Sequence, residues 1–144
     1  MPLSAEPTRR RILVVDDEPA VLELITTRLE IAGYQAFFAR DGHEGLARLA
    51  ELRPAALILD INMPRADGFE VMRQMGKSGA ILTTPTMVLT ARNQTADIQR
   101  ALALGARDFL SKPFKDEQLL ARVARLLRAA RPTTPPPKGG VVII

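Results

Sequence analysis

Five short apolar runs, each followed by a stretch whose apolar residues recur three and four positions apart, constrain this chain more than any other feature. Ile12 to Val15 contains no polar side chain. Such a run does not suit a strand with one wet face, and it does suit a central strand buried on both. Pro19 opens the helix that follows, the adjacent acidic residues favour its free amides, Leu22, Ile25 and Leu29 form its stripe, and Gly33 stops it. Gln35 to Ala39 predicts a second strand, and Asp41-Gly42 begins a helix through Leu46 and Leu49 that ends near Arg53-Pro54. Ala56 to Leu59 is the third strand, with a loop to Gly68 and a helix marked by Phe69, Met72 and Met75. Thr86 to Leu89 is the fourth, followed by a helix lined by Ile98, Ala101 and Leu102 and stopped by Gly105. Asp108 to Leu110 is a short fifth strand, and Leu119, Leu120, Val123 and Leu127 stripe a fifth and last helix. Alternation of this kind predicts an α/β fold: a five-stranded parallel sheet with helices on both faces.

At 144 residues the chain is long enough for one core without disulfides or a structural metal. It has no cysteine and one histidine, which excludes thiol catalysis, thiolate metal sites and multi-histidine zinc centres. No apolar stretch reaches the roughly 18 residues of a membrane span, and the basic head is followed by no signal-peptide core, so a cytoplasmic location is expected. The net charge of +4 belongs to the ends: residues 12 to 127 hold 14 basic and 15 acidic side chains. A basic head and tail that keep the chain soluble account for this surplus without a nucleic-acid partner. Pro132 to Gly140 reads as a linker, and the final Val141 to Ile144 as a docking peptide, an added strand, or the edge of a longer chain.

In open α/β sheets, ligands bind beyond the carboxyl ends of the strands. The polar residues there are Asp16 and Asp17 after the first strand, Asp60 after the third, Thr90 after the fourth and Lys112 after the fifth. Carboxylates gathered in one crevice repel one another unless a hard cation or a lysine neutralises them, and oxygen donors in this number suit Mg²⁺ or Mn²⁺. A carboxylate can also accept a phosphoryl group. With Asp60 as the nucleophile, the metal, Lys112 and the Thr90 hydroxyl supply charge compensation for the transferred oxygens. The sequence has no P-loop and no GxGxxG after the first strand, so nucleotide and dinucleotide folds lose their main evidence.

Val14-Val15-Asp16-Asp17-Glu18, Asp60-Ile61-Asn62-Met63-Pro64 with Gly68, Leu89-Thr90-Ala91-Arg92, and Gly105 to Phe114 with Ser111-Lys112-Pro113 stand in this order at the strand ends. Together they resemble the receiver domain of two-component response regulators, a (βα)5 doubly wound, flavodoxin-like fold. The resemblance implies a domain over residues 10–130, between a flexible head, 1–9, and a tail or linker, 131–144. It implies Asp60 as phosphoacceptor for a histidine kinase or a histidine phosphotransfer protein, and Asp16, Asp17, Asp60 and the backbone carbonyl of Asn62 as ligands of Mg²⁺. Thr90 and Phe109 would be the switch residues, Lys112 the site cation, and Pro113 the partner in a cis linkage. Asn62 and Arg92 match positions that influence access of water to the phosphoryl group. The face of the fourth helix, fifth strand and fifth helix would serve docking or homodimerisation.

Each residue also has a plainer reading: the acidic pair as a helix cap, Thr90 as a strand end, Lys112 as a surface lysine, Phe109 and the methionines as packing. His43, at a helix start, is expected to be exposed and without chemistry. Two other functions compete: a binding module that never takes phosphate, which would be expected to lack Asp60 or Lys112, and an aspartate-nucleophile phosphatase, which would need a cap and a general acid that the short loops do not supply.

Overall fold

The computed structural model describes residues 9–64, 68–91 and 94–129. Its elements are β1 (Arg11–Val15), α1 (Pro19–Ile31), β2 (Gln35–Ala39), α2 (Gly42–Leu52), β3 (Ala56–Asp60), α3 (Gly68–Ser78), α4 (Ala80–Thr83), β4 (Thr86–Ala91), α5 (Thr95–Ala103), β5 (Asp108–Lys112) and α6 (Asp116–Ala129). All five strands pair in parallel, in the order β2-β1-β3-β4-β5. The apolar runs of β1, β3 and β4 become the buried centre, and β2 at the edge is only half-buried, with Phe38 43% exposed.

Strand alternation divides the core into two layers. Ile12, Val14, Ile58, Met87 and Leu89 point to one side and pack under α1 and α6 through Leu22, Ile25, Leu29, Leu119 and Val123. Leu13, Val15, Leu57, Leu59 and Val88 point to the other and pack under α2, α3 and α5 through Leu49, Met72, Met75 and Ala101. Met63, Met72, Met75 and Met87 are all buried, in keeping with their reading as packing residues, and His43 is exposed.

The structure adds one element to the five helices that the sequence predicts. Ala80–Thr83 forms a single turn, α4, between α3 and β4, so the predicted fourth and fifth helices are α5 and α6. Its four residues are too few to display a helical period, and only Ile81 among them is buried, with Ala80 packed beside it against the core. Gly105, in the left-handed region at φ 114°, lies against that Ile81: a Cβ there would stand 2.6 Å from Ile81 Cγ1. At the start of α1 the cap residue, Glu18, makes no side-chain capping bond, and Asp16 Oδ1 accepts from Glu18 N at 2.9 Å. The expected head and tail, including Val141 to Ile144, lie outside the described residues apart from Arg9.

Candidate functional site

Strand order reverses between β1 and β3, and the crevice of such a fold opens beyond the carboxyl ends at that reversal. Register brings the strand ends level there. Val15 pairs with Leu59, so Asp16 and Asp60 follow side by side, and Asp60 pairs with Leu89, which sets Thr90 one step beyond. Ala91 pairs with Lys112 on the far side. Gly68, at the start of α3, packs directly on this corner: a Cβ would stand 2.6 Å from the Asp60 carbonyl oxygen and 2.7 Å from Ile61 Cα.

The carboxylates of Asp16, Asp17 and Asp60 each offer an oxygen within 4.8 Å of the others. Asp16 is fully buried and Asp60 is 3% exposed, whereas Asp17 faces solvent. The Lys112 ammonium spans the cluster, donating to Asp16 Oδ2 at 2.9 Å, Asp60 Oδ2 at 3.3 Å and Glu18 Oε1 at 3.4 Å. Asn62 N donates to Asp60 Oδ1 at 2.8 Å. One lysine therefore faces more carboxylate charge than it can neutralise. Burial pushes the Asp60 carboxyl up to about 6, and the neighbouring Asp16 charge adds to this against the lowering effects of the Asn62 amide and Lys112. Burial works to lower the Lys112 ammonium too, but bonds and charge from Asp16 and Asp60 outweigh it and hold the lysine above its ordinary value. Hard oxygen donors with surplus negative charge, one of them open to solvent, fit a hard divalent cation such as Mg²⁺.

A cavity of about 550 Å³ opens over the cluster, walled by Asp17, Asp60, Asn62, Ala91, Lys112 and Pro113. Lys112-Pro113 is a cis peptide. Thr90 is fully buried behind Ala91, its hydroxyl donating to the Ala91 carbonyl at 3.3 Å. Asp60, Asn62, Lys112 and the acidic pair thus converge, and Thr90 borders them. Phe109 does not line the cavity: it lies half-buried in β5, against the α2/α3/α5 layer, with the Arg122 guanidinium 5.5 Å from its ring centroid. Arg92 lies outside the described residues.

Sequence reasoning missed three features. Glu18 reaches Lys112, the Asn62 carboxamide accepts from Ala91 N at 3.0 Å, and Val21, Leu24 and Phe114 give the cavity an apolar wall. The wall had a signal in Leu24, which falls off the stripe of Leu22, Ile25 and Leu29 and is an exposed apolar residue that the core does not require.

Fold and site together define a doubly wound α/β protein with an acidic cluster and a lysine at its topological switch. The family model for the response regulator receiver domain matches residues 12–124, and the chain belongs to that family: it is a receiver domain of a two-component response regulator. It is 48% identical over 122 residues to response regulator MprA of Mycobacterium avium (strain 104) and of Mycobacterium leprae (strain TN), a match over 85% of this chain and 53% of each relative. The chain thus spans about half the length of these curated relatives. Among solved structures, Vibrio cholerae chemotaxis protein CheY4 superposes with a TM-score of 0.78 at 33% identity, over 83% of this chain and 99% of that one. The Francisella response regulator 1452 receiver domain gives 0.78 at 28%, over 85% and 100%. No helix among the described residues is long and apolar enough to cross a membrane.

Proposed function

We propose that Asp60 is the residue phosphorylated, with a histidine kinase or a histidine phosphotransfer protein as donor and the cytoplasm as its setting. The observation that carries this is Lys112 bridging Asp16 and Asp60 at the floor of an open cavity. The ionised Asp60 carboxylate attacks phosphorus, the O–P bond forms as the bond to the donor nitrogen breaks, and the imidazole takes up a proton. Lys112 Nζ meets the charge on the transferred oxygens, and the Thr90 hydroxyl is the nearest side-chain donor on β4.

Asp16, Asp17, Asp60 and the Asn62 carbonyl would hold Mg²⁺, or Mn²⁺ in its place, and the cation would supply charge neutralisation to the phosphoryl oxygens. The donor approaches over the apolar wall of Val21, Leu24, Pro113 and Phe114, where Leu24 is 39% exposed. Phe109, packed between Val88 and Arg122, is the aromatic that responds to movement of Thr90, and the α5–β5–α6 face is the surface that carries the state to a partner or a second copy. The chain acts on its own phosphoryl group only. Residues 1–9 and 131–144 are a head and a tail or linker to this domain.

The test is the intact mass of the protein after incubation with acetyl phosphate. A gain of about 80 Da, one phosphoryl group, that needs Mg²⁺ and is lost in Asp60→Asn is the expected result. The same gain in Asp60→Asn would overturn the assignment. No gain, with no adduct from beryllofluoride either, would leave a receiver that works as a binding module.

A further inference from the structure

Each Asp60 neighbour described so far either donates to the carboxylate or repels it. Asn62 does something else as well. Its main-chain N–H donates to Asp60 Oδ1, and its carboxamide oxygen accepts from the N–H of Ala91, twenty-nine residues away, at 3.0 Å. The second bond follows from the sheet. Successive residues of a parallel strand turn their amides to opposite neighbours, and Leu89 offers its carbonyl to β3, at Ile61 N, at 3.1 Å. Ala91, two residues on, turns its N–H to the same side. By then β3 has ended, at Asp60, and the chain has left the sheet. The Asn62 side chain takes the place of the missing strand residue.

That N–H lies in a chemically demanding position. Ala91 walls the same cavity as Asp60 and Lys112. If Asp60 is phosphorylated, as proposed above, three anionic oxygens enter that cavity and require donors. Lys112 and the Thr90 hydroxyl are two. The Ala91 amide is a third, and its hydrogen is already committed to Asn62. A carboxamide oxygen is an acceptor and cannot itself face a phosphoryl oxygen. The exchange is favourable because hydrogen bonds to an ionised acceptor are roughly twice as strong as neutral ones, and because Asn62 is exposed its oxygen can return to water.

We propose that Asn62 is a positioning residue that latches the Ala91 amide in the unphosphorylated protein and must release it when Asp60 is phosphorylated, so that its carboxamide sets how readily the phosphorylated state forms. The inference rests on the Asp60 assignment, and the experiment separates the two. In the full chain, Asn62→Ala keeps the backbone amide and carbonyl and removes only the latch.

Two readouts are compared with wild type. Hydrogen exchange at the Ala91 amide, without Mg²⁺ or phosphoryl mimic, should be roughly tenfold faster or more in the variant, as for an amide that loses its partner at a site that opens locally. The half-saturating beryllofluoride concentration, at fixed saturating Mg²⁺, should fall about threefold to tenfold, the effect of removing one competing hydrogen bond. Asn62→Asp, which retains an acceptor oxygen for the Ala91 amide, should keep exchange at Ala91 at or below the wild-type rate. Beryllofluoride binding to both proteins with equal half-saturation would overturn the latch alone, as would unaltered exchange at Ala91. A wild-type protein that binds no beryllofluoride would overturn the Asp60 assignment and the latch together.

Discussion

Asp60 and Asp108 are both buried aspartates at strand positions in the same sheet, at 3% and 9% exposure, and their surroundings are opposite. Asp108, at the start of β5, accepts from its neighbour's amide, Phe109 N, at 2.8 Å, from Arg122 Nη1 at 2.9 Å and from Arg125 Nη2 at 2.7 Å. Two cations and an amide serve one carboxylate, and Arg122 also donates to the Phe109 carbonyl. Asp60 has one amide and one lysine, and it shares that lysine with Asp16 and Glu18. A saturated carboxylate joins β5 to α6. An undersaturated one, beneath an open cavity, still has lone pairs and charge to give to a cation or a phosphoryl group.

The comparison predicts that removing cations from the two sites has different consequences. Lys112→Ala should slow Mg²⁺-dependent phosphorylation by acetyl phosphate roughly 100-fold or more, the scale of losing one preorganised charge at a transferring group. Time-resolved intact mass measures this, and a rate within a few-fold of wild type would remove Lys112 from the chemistry. Asp108→Ala should instead leave that rate nearly unchanged and lower stability by about 1–3 kcal/mol, because a buried amide loses its acceptor and two arginines lose their anchor. Urea unfolding gives the stability change. A large loss of phosphorylation in this variant would show that the two aspartates are coupled and would break the contrast.

The difference between them was only half legible in the sequence. Strand identity followed from apolar runs such as Ile12 to Val15, and the residues ending those runs gave Asp16, Asp60 and Lys112, because a parallel sheet brings strand ends together whatever its other details. Asp108 could be placed in β5, but not its bonding, since the arginines 14 and 17 residues later reach it only through the packing angle of α6. The Asn62 bond to Ala91 was hidden for the same reason: it depends on where β3 stops relative to β4, which apolar patterning fixes only to within a residue or two. Gly68 stood out as part of a motif, and the structure supplies its cause in the Asp60 carbonyl 2.6 Å from where a Cβ would lie.

Undersaturation also has a thermodynamic signature. The Asp60 carboxyl is raised from 3.8 to about 6 in the folded protein. The fold therefore binds the proton more tightly than the unfolded chain does, and the stability this represents is complete below pH 3.8 and lost as pH rises through 6. At neutral pH the ionised, buried Asp60 weakens the metal-free fold. Asp60→Asn should accordingly stabilise the protein in EDTA at pH 7.5 by about 1–2 kcal/mol, with the gain shrinking toward zero near pH 4. Unfolding titrations at both pH values test the sign, and equal stability of the two proteins at pH 7.5 would show that Lys112 alone satisfies the cluster.

The smallest effect concerns how much of the Asp108 saturation is needed. Arg122 holds the aspartate from a side chain that is 31% exposed and also covers Phe109, whereas Arg125 is 60% exposed. Water competes for the Arg125 guanidinium, and the entropy of fixing a long side chain offsets part of the attraction. Arg125→Ala should therefore cost only about 0.5 kcal/mol, while Arg122→Ala should cost more because the Phe109 ring loses its cover and the Phe109 carbonyl its donor. A double-mutant cycle with Asp108→Ala separates the two pairs. If Arg125 proved the stronger partner, the anchor of β5 would be a surface ion pair and not the buried contact at Phe109, and the aspartate would differ from Asp60 in charge balance alone.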